Sequence, residues 1–261
     1  MNIKKIREDF PILNKKINGK PLVYLDNAAT TQKPIHVLNV IDEYYRTKNA
    51  NTHRGANQLS EEATHSYEES RKKTKKFINA KHSEEVIFTR GTTESINLVA
   101  NTMKFEKKDR ILCTVMEHHS NMVPWLELKR KNVEIDFADI KNDGTLDMND
   151  FESKLTKNTK LAALTHASNM LGTINDIEKI AKMCHEQDTL LLVDGAHSAP
   201  HMNIDVQKLD CDFFAFSGHK MLGPTGIGCL YAKKTLLEKM EPYQTVGGMI
   251  RVVNFEGATC A

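Results

Sequence analysis

From about residue 86 onward, apolar residues come in short unbroken runs separated by amphipathic stretches. Leu161-Ala162-Ala163-Leu164, Leu190-Leu191-Leu192-Val193 and Phe213-Phe214-Ala215-Phe216 show no polar alternation. Such runs, bounded by polar turns, read as strands covered on both faces, as in a parallel sheet. The pattern predicts strands at 86–89, 110–115, 133–138, 160–166, 189–194, 211–216 and 227–231. Helices are predicted near 92–104, 120–131, 147–155 and 176–187, the last with a capped start at Asn175-Asp176-Ile177-Glu178. Strand–helix alternation implies a mostly parallel sheet with helices on both faces. The last two strands lack a long helix between them, which predicts an antiparallel member there. An N-terminal arm and two helices, near 34–47 and 60–79, precede this core. No repeat, low-complexity tract or linker interrupts the chain, so one large α/β domain is expected.

Groups capable of chemistry collect where the apolar runs end. The run 190–193 closes on Asp194, at the edge where open α/β sheets bind ligands. A carboxylate there can keep a pyridinium nitrogen protonated, or it can simply cap the next turn. The run 213–216 enters Ser217-Gly218-His219-Lys220, a tight turn presenting hydroxyl, imidazole and amine together. Lys220 is either a solvated turn lysine or, once desolvation lowers its pKa, a group that holds an aldehyde covalently. After the strand at 86–89 comes Gly91-Thr92-Thr93-Glu94 and a helical pattern. The hydroxyls of Thr92 and Thr93 and the free N–H groups of the helix start would face an anion, unless Thr92 is only an N-cap. Two further strand ends carry Glu117-His118-His119-Ser120-Asn121 and Thr165-His166-Ala167-Ser168-Asn169. His118 can lie flat over a cofactor ring, and Asn169 can bond a phenolic oxygen or close a turn. No metal site is expected, because adjacent histidines on a strand point apart and no other ligand pair has zinc-like spacing.

These segments together resemble the Suf-type cysteine desulfurases of the class V aminotransferase group. The resemblance is carried, in order along essentially the whole chain, by Tyr24-Leu25-Asp26-Asn27-Ala28-Ala29-Thr30-Thr31, Asn51-Thr52-His53-Arg54-Gly55, Thr89-Arg90-Gly91-Thr92-Thr93-Glu94, Glu117-His118-His119-Ser120-Asn121, Thr165-His166-Ala167-Ser168-Asn169, Val193-Asp194-Gly195-Ala196 and Ser217-Gly218-His219-Lys220. It implies the large domain of a type I pyridoxal-phosphate enzyme, a seven-stranded mostly parallel sheet, with residues 1–261 forming an N-terminal arm plus that domain. It also implies pyridoxal 5'-phosphate as cofactor, held as a Schiff base by Lys220, with Lys220 and His118 as catalytic groups. Asp194 would pair with the ring nitrogen, His118 would stack on the ring, and Asn169 would touch the ring oxygen. Thr92, Thr93, Ser217 and His219 would hold the phosphate.

Two departures from the family stand out. His197 occupies a position where the family usually has glutamine bonded to the ring oxygen, a bond that imidazole can still donate. The sequence also stops at Ala261, where the family continues into a small C-terminal domain carrying the nucleophilic cysteine and the arginines that bind the substrate carboxylate. Cys260 is not that cysteine by position. The expectation is a truncated coding sequence, prone to aggregate and with little turnover of its own; a naturally short, non-catalytic binding protein is the rival. For the complete product the resemblance implies conversion of L-cysteine to L-alanine and an enzyme-bound persulfide for iron–sulfur cluster assembly, delivered to a sulfur-acceptor protein. It further implies a homodimer in which residues 51–55 reach the partner's site. Selenocysteine lyase and other class V aminotransferases are the alternatives.

Composition narrows the setting. The formal charge of +2 over 261 residues gives no argument for a nucleic-acid partner. The basic stretch Arg71 to Lys76 follows four glutamates in one helix and reads as a solvated face that complements the helix dipole. Five cysteines without CxxC spacing, three of them in apolar strands, suit a reducing compartment. The first ten residues carry acids and no apolar core, unlike a signal or transit peptide, and no apolar run approaches membrane-spanning length. A cytoplasmic location is expected.

Overall fold

The computed structural model describes residues 2–244, 250–254 and 257–260. In chain order, α1 (Ile3–Glu8) precedes a hairpin of β1 (Lys16–Ile17) and β2 (Lys20–Pro21), then α2 (Ile35–Glu43) and the long α3 (Gln58–Phe77). The core then follows as β3 (Val86–Thr89), α4 (Thr92–Thr102), β4 (Arg110–Thr114), α5 (Val123–Glu127), β5 (Glu134–Ala138), α6 (Met148–Lys154) and β6 (Thr159–Thr165). It continues through α7 (Ile177–His185), β7 (Leu190–Asp194), α8 (Val206–Leu209), β8 (Phe213–Ser217), β9 (Gly228–Ala232) and α9 (Lys234–Leu237). A hairpin of β10 (Ile250–Asn254) and β11 (Gly257–Cys260) comes last.

Seven strands form one sheet in the order β3-β9-β8-β7-β6-β4-β5. Strands β5, β4, β6, β7 and β8 are parallel, while β9 runs antiparallel to both of its neighbours. The mostly parallel sheet and its antiparallel member match the alternation of the sequence. The place of β3 does not follow from that pattern. Strand β9 lies between β8 and β3, so the carboxyl ends of β3 and β8 share one edge, where Thr89 and Ser217 both pair with Gly228.

Successive residues of the buried strands feed opposite faces of the sheet. Leu161 and Ala163 pack with Ile96, Val99 and Trp125, whereas Ala162 and Leu164 pack with Phe151, Ile177 and Ile180. Covering both faces leaves no room for polar alternation, which explains the unbroken apolar runs.

Two local readings of the sequence need correction. The single helix expected at 120–131 is instead a short α5 between 3-10 turns at His119–Asn121 and Leu128–Lys131. Pro124 is tolerated only in a first helical turn, and Asn132, at φ +61°, stops the chain from continuing. The basic stretch of α3 is only partly solvated. Lys72 pairs with Glu69 in solvent, but the Arg71 guanidinium bonds the Val86 carbonyl and the Tyr67 hydroxyl and lies 5.1 and 5.2 Å over the rings of Tyr67 and Phe88. It fastens α3 to β3 instead of facing water. Among the described residues, no helix is long and apolar enough to cross a membrane.

Candidate active site

The carboxyl edge of the sheet opens into a cavity of about 570 Å³. Thr92, Thr93, His118, Asn169, Asp194, His197, Ser217, His219 and Lys220 all line it, together with Asp26, Ala28 and Ala29 from the N-terminal arm. Residues far apart in sequence thus reach one space because their strands end side by side.

One end of the cavity is built around the start of α4. Gly91, at φ +152°, precedes the helix in a backbone region that favours glycine, and it supplies no side-chain cap. Thr92 is therefore the first helical residue and not its cap. Its N–H donates to Ser217 Oγ at 2.8 Å, and the two hydroxyls lie 2.7 Å apart. This close junction of β3, β8 and β9 requires a second glycine, because a Cβ on Gly228 would stand 2.4 Å from Gly91 Cα. Helix N–H groups, two hydroxyls and a positive dipole end make an anion cup.

The floor holds Asp194, which is buried and accepts the Ala196 N–H at 2.9 Å. Burial raises its pKa, against that hydrogen bond and the nearby Lys220 and His118. His118 is exposed at the mouth, where the Ser120 N–H donates to its Nδ1 at 3.2 Å and the Ser120 hydroxyl lies 2.7 Å away. A ring nitrogen that accepts a backbone N–H carries no proton, so neutral His118 holds its proton on Nε2. Asn169 sits half-buried in the loop after β6.

Lys220 ends a 3-10 turn (Gly218–Lys220) after β8. The turn is strapped by the N-terminal arm: the His219 carbonyl accepts the Thr31 N–H (2.9 Å), the hydroxyls of Thr31 (3.0 Å) and Thr30 (3.2 Å), and Lys33 Nζ (3.1 Å). Thr31 Oγ1 in turn accepts the N–H of Leu222, a non-glycine residue at φ +67°. Burial lowers the pKa of Lys220, opposed by Asp194. The Lys220 Nζ lies 3.0 Å from His197 Nε2. Burial, then the charge of Lys220, pushes His197 down to about 4.

The nine residues singled out in the sequence converge, but three features escaped it. The strap of Thr30, Thr31 and Lys33 lies in a segment noted only for its resemblance. Ser120 orients His118. Glu117, buried and next in the chain to His118, accepts hydrogen bonds from three separate groups. A buried charge flanked by hydroxyl and amide residues was the available signal for the last of these.

The residues present fit pyridoxal phosphate. The cavity has ordinary small-ligand size. It carries an anion cup at one end, a buried carboxylate on the floor and a desolvated amine between them. An amine-bearing turn after a parallel strand of a seven-stranded sheet, facing such a cup, defines the large domain of a type I pyridoxal-phosphate enzyme. Within that class, the chain belongs to the aminotransferase class-V family, whose sequence signature matches residues 23–261. It is 51% identical over 263 residues to a probable cysteine desulfurase of Halalkalibacterium halodurans, covering 99% of this chain and 65% of that protein. The apo structure of a cysteine desulfurase from Thermococcus onnurineus NA1 superposes with a TM-score of 0.92 at 41% identity, covering 99% of this chain and 64% of that one. A cysteine desulfurase from Escherichia coli gives 0.89 at 36% identity, with coverages of 100% and 65%. The chain thus spans about 65% of the length of these relatives.

Proposed function

We propose that the complete protein removes sulfur from L-cysteine, leaving L-alanine and an enzyme-bound persulfide. The observation that carries this reading is the convergence of Lys220, Asp194, His118 and the Thr92–Ser217 cup on one cavity, in a chain about half identical to probable cysteine desulfurases. Bound pyridoxal phosphate supplies an electron sink conjugated to the Cα of the amino acid. Lys220 would hold the cofactor's aldehyde and, as a free amine, would take the α-proton of the bound amino acid. Asp194, as a carboxylate, keeps the ring nitrogen protonated. Thr92, Thr93, Ser217 and His219 would bind the phosphate, His118 would cover the ring and move a proton at the leaving sulfur, and Asn169 and His197 would bond the phenolic oxygen. Residues 1–261 make up the arm and the cofactor-binding domain.

Cys113, Cys184, Cys211 and Cys229 are not the sulfur acceptor. All four are buried, and burial raises their thiols away from the thiolate form. The resemblance puts the persulfide-forming cysteine in the further length of the relatives. Free, buried cysteines favour a reducing, cytoplasmic setting. Val23 and Leu25, 77% and 87% exposed on the arm, suit burial against a second copy in a homodimer. Iron–sulfur cluster assembly, through a sulfur-acceptor protein, is the use that persulfide chemistry fits.

The test is alanine release from cysteine and from selenocysteine by the full-length protein. Cysteine turnover lost in Lys220→Ala supports the reading, turnover confined to selenocysteine makes the protein a lyase, and neither sinks both. The 261-residue chain alone should bind pyridoxal phosphate, trapped on Lys220 by borohydride, and release little alanine.

A further inference from the structure

We propose that Glu117 is a positioning residue that ties the His118 turn to the end of β6, and that opposite the amide of Asn121 only a carboxyl group can do so. The inference rests on the proposed cofactor site and adds a residue to which nothing in the motif reading gives a role. Glu117 Oε1 accepts the Thr165 N–H at 3.0 Å and lies 2.6 Å from the Thr114 hydroxyl, while Oε2 accepts Asn121 Nδ2 at 2.6 Å. Thr165 lines the cavity, Asn121 N–H donates to the His118 carbonyl at 2.8 Å, and His118 is the next residue. One carboxyl therefore joins the ends of β4 and β6 with the turn that presents the ring-covering imidazole.

The directions of the Asn121 and Thr165 bonds are fixed. The Trp125 indole is donor-only and gives its N–H to Asn121 Oδ1 at 3.2 Å. The Asn121 amide must then offer Nδ2 to Glu117. The Thr165 N–H is likewise donor-only, so each oxygen of Glu117 meets an obligatory donor. A glutamine would set its NH₂ against one of these N–H groups in either orientation, and an asparagine flip would only move the clash to Trp125. A protonated carboxyl still satisfies both donors, with its O–H given to Thr114 Oγ1, which already accepts the Met116 N–H at 3.3 Å. That form suits a site shared with Asp194, the ionisable group that acts on it from the end of β7. Burial pushes Glu117 up to about 8 despite its three hydrogen-bond partners, and the Asp194 charge adds to the rise.

The test exchanges amide and carboxyl. In the double variant Glu117→Gln/Asn121→Asp, the amide now at position 117 donates to the carboxylate now at position 121. The second oxygen of that carboxylate still accepts the Trp125 N–H, and the amide oxygen at position 117 still accepts the Thr165 N–H. Two readouts apply to the 261-residue chain: the His118 ring signals in ¹H–¹³C NMR of apo-protein, and the affinity and visible circular dichroism of bound pyridoxal phosphate. Glu117→Gln should shift the His118 signals and weaken cofactor binding about tenfold or more, the loss of one well-made buried hydrogen bond. The exchange variant should return both to near wild type. Wild-type behaviour of Glu117→Gln overturns the proposal, as does an exchange variant that recovers nothing or fails to fold. If Glu117→Gln alone fails to fold, the exchange variant decides. No arm uses cysteine, and the His118 signals need no cofactor. A chain that bound no pyridoxal phosphate would sink the functional reading, while these signals still ruled on Glu117.

Discussion

The Lys220 Nζ and His197 Nε2 lie 3.0 Å apart and share one proton between them. With its pKa pushed down to about 4, His197 is neutral near pH 7. The glutamine usual in the family could accept as well, but it cannot titrate. This difference has a pH consequence. A histidine whose pKa falls from 6.5 to about 4 on folding binds fewer protons folded than unfolded. Its effect is absent above pH 6.5, and stability is lost as pH drops from there towards 4. Relative to His197→Gln, wild type should lose about 1 kcal/mol across that window, allowing for solvent screening of a half-exposed ring. Urea midpoints of both proteins at about pH 7 and pH 5 check this, and parallel shifts would refute it. At this scale the sequence named residues that line one cavity, because Asp194 and Lys220 stand at the ends of apolar runs. It could not name their partners. The hydrogen bonds of Glu117 to Thr165 and of Thr31 to His219 cross 48 and 188 positions of chain, and no local pattern encodes such distances.

Two elements hold the lysine turn: the arm that straps His219 and the strand β9 that brings Gly228 against Gly91. Thr31→Val keeps the shape but removes a hydroxyl that donates to the His219 carbonyl and accepts the Leu222 N–H. It should cost about 1–2 kcal/mol in chemical denaturation and slow covalent attachment of pyridoxal phosphate. Equal attachment rates would show that the strap serves stability alone. Gly228→Ala is harsher, since its Cβ meets backbone on two sides, Gly91 Cα at 2.4 Å and the Phe216 carbonyl at 2.7 Å. Neither side can rotate away, so a loss of about 3 kcal/mol or more is expected, with phosphate-dependent binding impaired beyond what the stability loss explains. A melting temperature within two or three degrees of wild type would contradict that, the size of shift expected of a mild substitution. Element types were readable wherever both faces of a strand are buried. The short α5 was not, because the breaks at Pro124 and Asn132 compete with an apolar spacing that otherwise suits a longer helix.

Across the molecule, the site concentrates buried acid. Glu117 rises from 4.5 to about 8, and Asp194 is raised as well. An acid with a raised folded-state pKa binds more protons folded than unfolded. Stability is then fully present below pH 4.5, falls as pH rises through the interval, and is lost above about 8. For Glu117 the loss amounts to about 3–5 kcal/mol, and the slope of stability against pH should shrink in Glu117→Gln. Denaturation midpoints at about pH 5.5 and 8.5 decide it; equal slopes would mean that Glu117 ionises freely. The overall topology was half-visible in the sequence. Alternation gave the parallel layers, but nothing local said that the seventh strand would enter between the sixth and the first. That insertion also sets a timetable for synthesis. Strand β3 is translated early, yet among the described residues its only neighbour in the sheet is β9, roughly 140 residues later, so at 5–20 residues per second β3 waits about 7–30 seconds on the ribosome with both edges open. Through that interval the nascent chain has an unpaired strand and no anion cup, and one late segment closes the sheet and completes the cofactor site together.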